Sequence, residues 1–221
     1  MSNQLRRVSQ LRNNYSGMRH GQSKANVQNV IVSCIDNDDP SRYGLTDLGR
    51  QQALAAARRA ALPNDTVICC SEFARALQTA LIVATALGAT DVMVTEALRE
   101  RCFGDWEGTA SDNYAAVWAA DRASPDHSER HVEPASAVLA RVTAFVMTLE
   151  QRYSGREIVF VSHGDTLQIL QAGFSRMNPG QHRDLPHLEP AEIRRLHLAL
   201  ASRAGPDFYQ LCTHPVLTFT E

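Results

Sequence analysis

The chain has 221 residues, 44% of them hydrophobic, enough to bury the core of one ordinary domain and too apolar for intrinsic disorder. Lys and Arg total 22 against 24 Asp and Glu, a net charge of −2, so nothing in the overall charge attracts nucleic acid or an anionic membrane surface. Lys24 is the single lysine, and Ser23-Lys24-Ala25 is not a Gly-Lys-Ser/Thr phosphate loop, which removes P-loop chemistry.

The basic start Met1–Arg7 leads into polar Val8–Arg12, unlike an export signal, and the longest apolar stretch, 80–89, is too short to span a bilayer. Cysteines at 34, 69, 70, 102 and 212 form no CxxC pair, so neither a disulfide framework nor a zinc knuckle is indicated. The reading is a cytoplasmic protein with reduced thiols.

In chain order, Thr46 is an N-cap for a helix that ends near Pro63, and Thr66–Cys70 is a short apolar run, read as a buried strand. Glu72–Leu87 is helical in length and composition, closed by Gly88, and 91–94 is a second strand. Helices are expected over Ser111–Ala120 and Pro134–Tyr153, with polar 121–133 between them as a surface excursion. Glu157–Ser162 is the clearest strand, followed by a helix over Asp165–Phe174. Residues 176–189 and the last 25 residues receive no assignment. Strands alternating with helices imply an α/β fold: three layers, a mostly parallel central sheet with helices on both faces.

Three strand-to-helix junctions carry groups suited to a phosphate: Met18–Asn26, Ser71–Arg75 and Val161–Gly164. In open α/β sheets ligands sit outside the carboxyl ends of strands, where helix N-termini offer free N–H groups. Arg19, His20, Arg75 and His163 at such ends make a cationic, phosphate-sized pocket, and the planar Arg fork donates two parallel bonds to phosphoryl oxygens.

The motifs are Arg19-His20-Gly21 with Ser23 and Asn26, Tyr43-Gly-Leu-Thr46 with Gly49 and Gln52, Ser71-x-x-x-Arg75-Ala-x-Gln-Thr-Ala80, Leu98–Gly108, and Val161-Ser-His-Gly164. In this order they resemble the histidine phosphatase superfamily, also called the phosphoglycerate mutase-like family, in its phosphatase branch. The resemblance implies one such domain over 1–221, with a small excursion around 109–133. It implies that His20 takes the phosphoryl group as phosphohistidine. Arg19, Arg75, His163 and Asn26 then form the phosphate pocket, and Glu100 protonates the leaving oxygen. No metal or cofactor is implied, and the expected partner is a small phosphorylated substrate rather than nucleic acid or membrane. One departure is that Asn14–Met18, before Arg-His-Gly, is polar where the family has an apolar strand.

Two other arrangements compete. Cys69 and Arg75 have the spacing of cysteine-dependent phosphatases, but the residues between them contain no Gly to wrap a phosphate. His127 and His131 are a metal-ligand spacing set in what reads as a polar loop. The expected activity is phosphomonoester hydrolysis, with phosphoglycerate mutase and a silent phospho-ligand-binding homologue as alternatives. Hydrolysis is favoured because His163 follows Glu100 by only 63 positions, too few for the longer covering insertion of the mutases.

Overall fold

The computed structural model describes residues 3–200. Its strands are β1 (Asn14–Arg19), β2 (Val67–Cys70), β3 (Val92–Val94), β4 (Glu157–Ser162) and β5 (Ile193–Leu196), in the sheet order β3-β2-β4-β1-β5. β4 occupies the centre because five of its six residues are buried, a continuous apolar run suited to a strand covered on both faces. β1, β2, β3 and β4 run parallel to one another, and β5 pairs antiparallel with β1.

Alternation along the strands divides the core into two layers. Val67 and Cys69 of β2 and Ile158 and Phe160 of β4 pack with α6 (Ala135–Arg152) and α7 (Gly164–Phe174). Their neighbours Ile68, Cys70, Val159 and Val161 pack against α3 (Asp47–Ala60) and α4 (Ala74–Leu87). The expected three-layer α/β arrangement is the observed one. The stretch Glu129–Arg152, which contains α6, is long and apolar enough by length and composition to cross a membrane, yet Val138, Val142, Val146 and Leu149 of α6 are core residues of this sheet face.

Thr46 caps α3, its side chain accepting from the Gly49 N–H, and Gly88 closes α4 at φ +67°. Pro134 proves to be the N-cap of α6 rather than a member of its first turn. Polar β1 is a full six-residue strand despite Ser16 and Gly17. A Cβ on Gly17 would stand 3.1 Å from Leu167 Cδ2, so the glycine lets α7 lie close against the sheet.

The excursion differs most from expectation. It contains α5 (Tyr114–Ala123), three residues later than predicted, and Asp121 is fully buried rather than solvated. The unassigned 176–189 region contains a 3₁₀ helix, Pro179–Asp184, and β5 follows it. Of the last 25 residues, 201–221, including Cys212, lie outside the described residues.

Candidate active site

β1 delivers Arg19 and His20 to the carboxyl end of the sheet, and the His20 N–H continues the ladder by donating to Ser162 O at 2.9 Å. Gly21 then meets the first turn of α3. A Cβ on Gly21 would lie 2.3 Å from Gly49 O, and one on Gly49 would lie 2.0 Å from Gln22 O, so neither position accepts a side chain. Thr79 of α4 accepts from the Gly21 N–H at 3.1 Å and closes the junction.

The His20 ring is 3% exposed, with Nδ1 2.7 Å from Gly21 O. A carbonyl only accepts, so Nδ1 carries the proton and Nε2 the lone pair. Arg75 Nε donates to that Nε2 at 3.2 Å, which places a guanidinium beside the lone pair. Burial, then Arg75 and Arg19, lower the His20 pKa well below its ordinary 6.5, so the ring is neutral.

His163 stands behind His20, ring centres 5.2 Å apart. Ser71 Oγ accepts from the Phe73 N–H and shares a hydrogen bond with His163 Nε2 at 2.9 Å; in the tautomer where the hydroxyl donates, His163 carries its N–H at Nδ1. Burial, followed by Arg75 and His20, lowers its pKa as well. Arg19 Nε, Arg75 Nη1 and His163 Nδ1 are buried nitrogens without a hydrogen-bond partner among the described residues. Such donors are costly unless something accepts from them, and an oxyanion accepts from all three. Asn26 is exposed and lines the same cavity, and its Oδ1 accepts from the N–H and Oγ–H of Ser23, the N-cap of α1 (Lys24–Gln28), which completes a capping box. It therefore both closes a turn and borders the pocket.

Glu100 lines this cavity, which measures about 360 Å³. Its Oε1 accepts from the Arg101 N–H at 2.9 Å and the Thr166 N–H at 3.2 Å, and lies 3.1 Å from the Thr166 hydroxyl, whose one proton goes to Arg99 O at 2.7 Å. Burial, then the nearby Asp165 carboxylate, raises its pKa above the usual 4.5, the direction a proton donor needs.

Asp165 belongs to a buried ion network that the sequence did not reveal. Burial works against its charge, but His182 and Arg101 outweigh burial and hold its pKa below the usual carboxylate range. His182 Nε2 lies 3.1 Å from Asp165 Oδ1, and Arg101 Nη1 lies 3.2 Å from Oδ2. Arg101 is fully buried and forks onto Asp121 at 2.6 and 2.7 Å. Asp121→Ala would leave that guanidinium short of its main partner, and breaking such a buried pair costs about 3–5 kcal/mol. Urea unfolding should show a loss of that order, and a change below about 1 kcal/mol would show Asp165 alone to be sufficient.

From sequence, the acidic run Asp36-Asn-Asp-Asp39 reads as a solvated loop, or as a border of the site entrance since it follows the first motif closely. The Asp38 carboxylate is instead buried, accepts from the Ala74 N–H at 2.6 Å at the start of α4 and stands 3.8 Å from Arg75 Nη1. Tyr114, Trp118 and Arg183 also line the cavity, and sequence reasoning assigned none of them. Cys69 joins the core on the α6–α7 side, opposite α4, with burial pushing its thiol up to about 12, so it is neither near Arg75's layer nor a thiolate. His127 and His131 go to separate carboxylates, Asp121 at 2.9 Å and Asp105 at 2.8 Å.

A family model for the histidine phosphatase superfamily, branch 1, matches residues 18–203. The chain belongs to this superfamily. Within it, the chain is 32% identical to a 2,3-bisphosphoglycerate-dependent phosphoglycerate mutase of Methylobacterium sp. (strain 4-46), over 69% of this chain and 76% of that one. It is equally 32% identical to a glucosyl-3-phosphoglycerate phosphatase of Mycolicibacterium vanbaalenii, over 70% of this chain and 71% of that one. The solved mycobacterial glucosyl-3-phosphoglycerate phosphatase superposes with TM-score 0.67 at 26% identity, covering 82% of this chain and 88% of that one. A mutase and a phosphatase thus stand at the same identity to this chain.

Proposed function

We propose that this chain is a cytoplasmic phosphomonoester hydrolase acting on a small phosphorylated metabolite through a phosphohistidine. The observation that carries the reading is the His20 ring, neutral, with Nδ1 tied to Gly21 O and the Nε2 lone pair beside the Arg75 guanidinium in a cavity shared with Glu100. Nε2 attacks phosphorus, the P–O ester bond breaks, and the leaving oxygen takes the proton from Glu100. Water then attacks the phosphohistidine, gives a proton to the Glu100 carboxylate, and restores His20 with release of phosphate. Arg19, Arg75 and His163 donate to the phosphoryl oxygens in both steps.

Relatives of both activities stand equally near, so hydrolysis over mutation rests on what surrounds the site. α5 supplies a wall through Tyr114 and Trp118, but the basic residues of the excursion turn elsewhere. Arg122 pairs with Asp184 at the surface, and Arg130 lies over the Trp106 ring at 4.5 Å. Neither lines the cavity, so the segment lacks the basic cover that would retain a glycerate for return of the phosphoryl group. Incubation with 3-phosphoglycerate, with and without bisphosphoglycerate, should release phosphate faster than it forms 2-phosphoglycerate. Interconversion outrunning phosphate release would make the chain a mutase.

A further inference from the structure

Four cysteines lie among the described residues, and the fold brings two of them together. Cys69 and Cys70 are adjacent in β2 but fully buried, and they face opposite core layers. Cys34 and Cys102 are 68 positions apart in sequence, yet their Sγ atoms stand 3.7 Å apart, and both side chains are half-buried rather than sealed in the core.

A seam of hydrogen bonds sets this contact. The chain after α1 runs beside residues 103–109: the Ile31 N–H donates to Thr109 O and the Gly108 N–H to Ile31 O, each at 2.9 Å, and Ser33 Oγ accepts from the Phe103 N–H at 3.0 Å. Glu107 Oε2 accepts from the Ser33 N–H at 2.8 Å and from its hydroxyl at 2.6 Å, fixing the same segment. The bond between residues 33 and 103 thus holds their neighbours thiol to thiol. Cys34 precedes the 3₁₀ turn Ile35–Asn37, and Cys102 lies between the turns Glu96–Leu98 and Gly104–Trp106, so neither is locked in a helix or strand.

Each thiol also lies two residues from a group that serves the catalytic site. Val32 O accepts from Arg75 Nη2 at 2.8 Å, and the Arg101 N–H, between Glu100 and Cys102, holds the Glu100 carboxylate at 2.9 Å. Bonded sulfurs stand well inside the separation of two thiols in contact, so a disulfide here draws these two segments together.

We infer that Cys34 and Cys102 form a redox modification site, at which an oxidant of the hydroperoxide class closes a disulfide that shifts the Glu100 segment and slows turnover. Cys102 Sγ attacks one peroxide oxygen, the O–O bond breaks, and the leaving hydroxide takes the Cys102 proton as water, giving a sulfenic acid. Cys34 Sγ then attacks that sulfur, the S–O bond breaks, and the second hydroxide leaves as water with the Cys34 proton. The two sulfurs together give up two electrons, and the peroxide is reduced to water. Burial, then Cys102 and Glu107, push the Cys34 thiol up to about 12, which suits Cys34 to the second step rather than the first. The slowing of turnover rests on the hydrolase reading above, whereas the bond itself does not.

The wild-type protein treated with hydrogen peroxide, digested without reduction and mapped by mass spectrometry should yield a Cys34–Cys102 cross-link that dithiothreitol removes. Its kcat on an alkyl phosphate should fall about 10- to 100-fold as the cross-link forms and recover on reduction. Cys34→Ser and Cys102→Ser should each keep the unoxidised rate and lose the cross-link together with the reversible loss of rate. Absence of the cross-link, pairing of either thiol with Cys212 instead, or a cross-link that leaves kcat unchanged overturns the inference. A reversible Cys34–Cys102 cross-link in a wild type that hydrolyses no phosphate ester keeps the modification site and removes the hydrolase reading.

Discussion

His20→Ala should lose turnover by on the order of 10⁴-fold or more, because it removes the atom that forms the covalent bond rather than a group that assists it. Rapid quench of the wild type should trap a phosphoenzyme that is labile in acid and stable in base, as a phosphorus–nitrogen bond requires. Arg19, Arg75 and His163 remain in the variant, so inorganic phosphate should still bind to it, which separates a missing nucleophile from a collapsed pocket. Recovery of the phosphate on Cys69 or Ser71 would sink the assignment. The pH dependence of the wild type follows from the same ring. Protonated His20 has no lone pair, so kcat falls as pH drops through its pKa; burial, Arg75 and Arg19 place that pKa well below 6.5, and no acid limb should appear near the ordinary histidine value. A limb in kcat at about 6.5 that His20 alone accounts for would show the ring to be solvated in the complex.

Much of this geometry is written in local sequence. β2 and β4 are short apolar runs whose alternate residues serve two helical layers, so their existence and burial follow from the run itself. Arg19, His20, Arg75, Glu100 and His163 follow from motif context, and each comes to border or back one cavity. β5 did not follow, because Ile-Arg-Arg-Leu is four residues long and charged in the middle, and edge strands are allowed such residues. Asp38 and Asp121 read as solvated acids because their partners, Arg75 and Arg101, lie 37 and 20 positions away, and only the folded chain brings the pairs together. The Arg183 guanidinium lies over the Trp118 ring, 3.7 Å from its centre, and this stack is invisible in the sequence for the same reason. Tertiary charge pairing and stacking leave no period in the sequence, whereas strands and helix caps do.

Glu100→Gln should separate two functions of one carboxyl. As proton donor, Glu100 matters in proportion to the basicity of the leaving oxygen, so alkyl phosphates should lose roughly 10²–10⁴-fold in kcat while activated aryl phosphates lose far less. Equal losses on both classes would reduce Glu100 to a positioning role. The wild-type rate on alkyl esters should also fall as pH rises through the elevated Glu100 pKa, and this limb should be missing in the variant. Stability should move the other way. Burial and Asp165 raise the folded pKa above the usual 4.5, so the carboxyl's favourable contribution is complete below its unfolded pKa and is lost as pH rises through the folded one. Glutamine carries no such dependence, and its Oε1 can keep the bonds from the Arg101 N–H and the Thr166 N–H. Glu100→Gln should therefore melt above the wild type at neutral and alkaline pH, with the gap closing as pH falls toward the ordinary carboxylate range. That is the pattern of a group held at a cost in stability because the reaction needs its proton. A gap that stays constant with pH, or a variant that is less stable throughout, would show that Glu100 is ionised without penalty and that the proton comes from elsewhere.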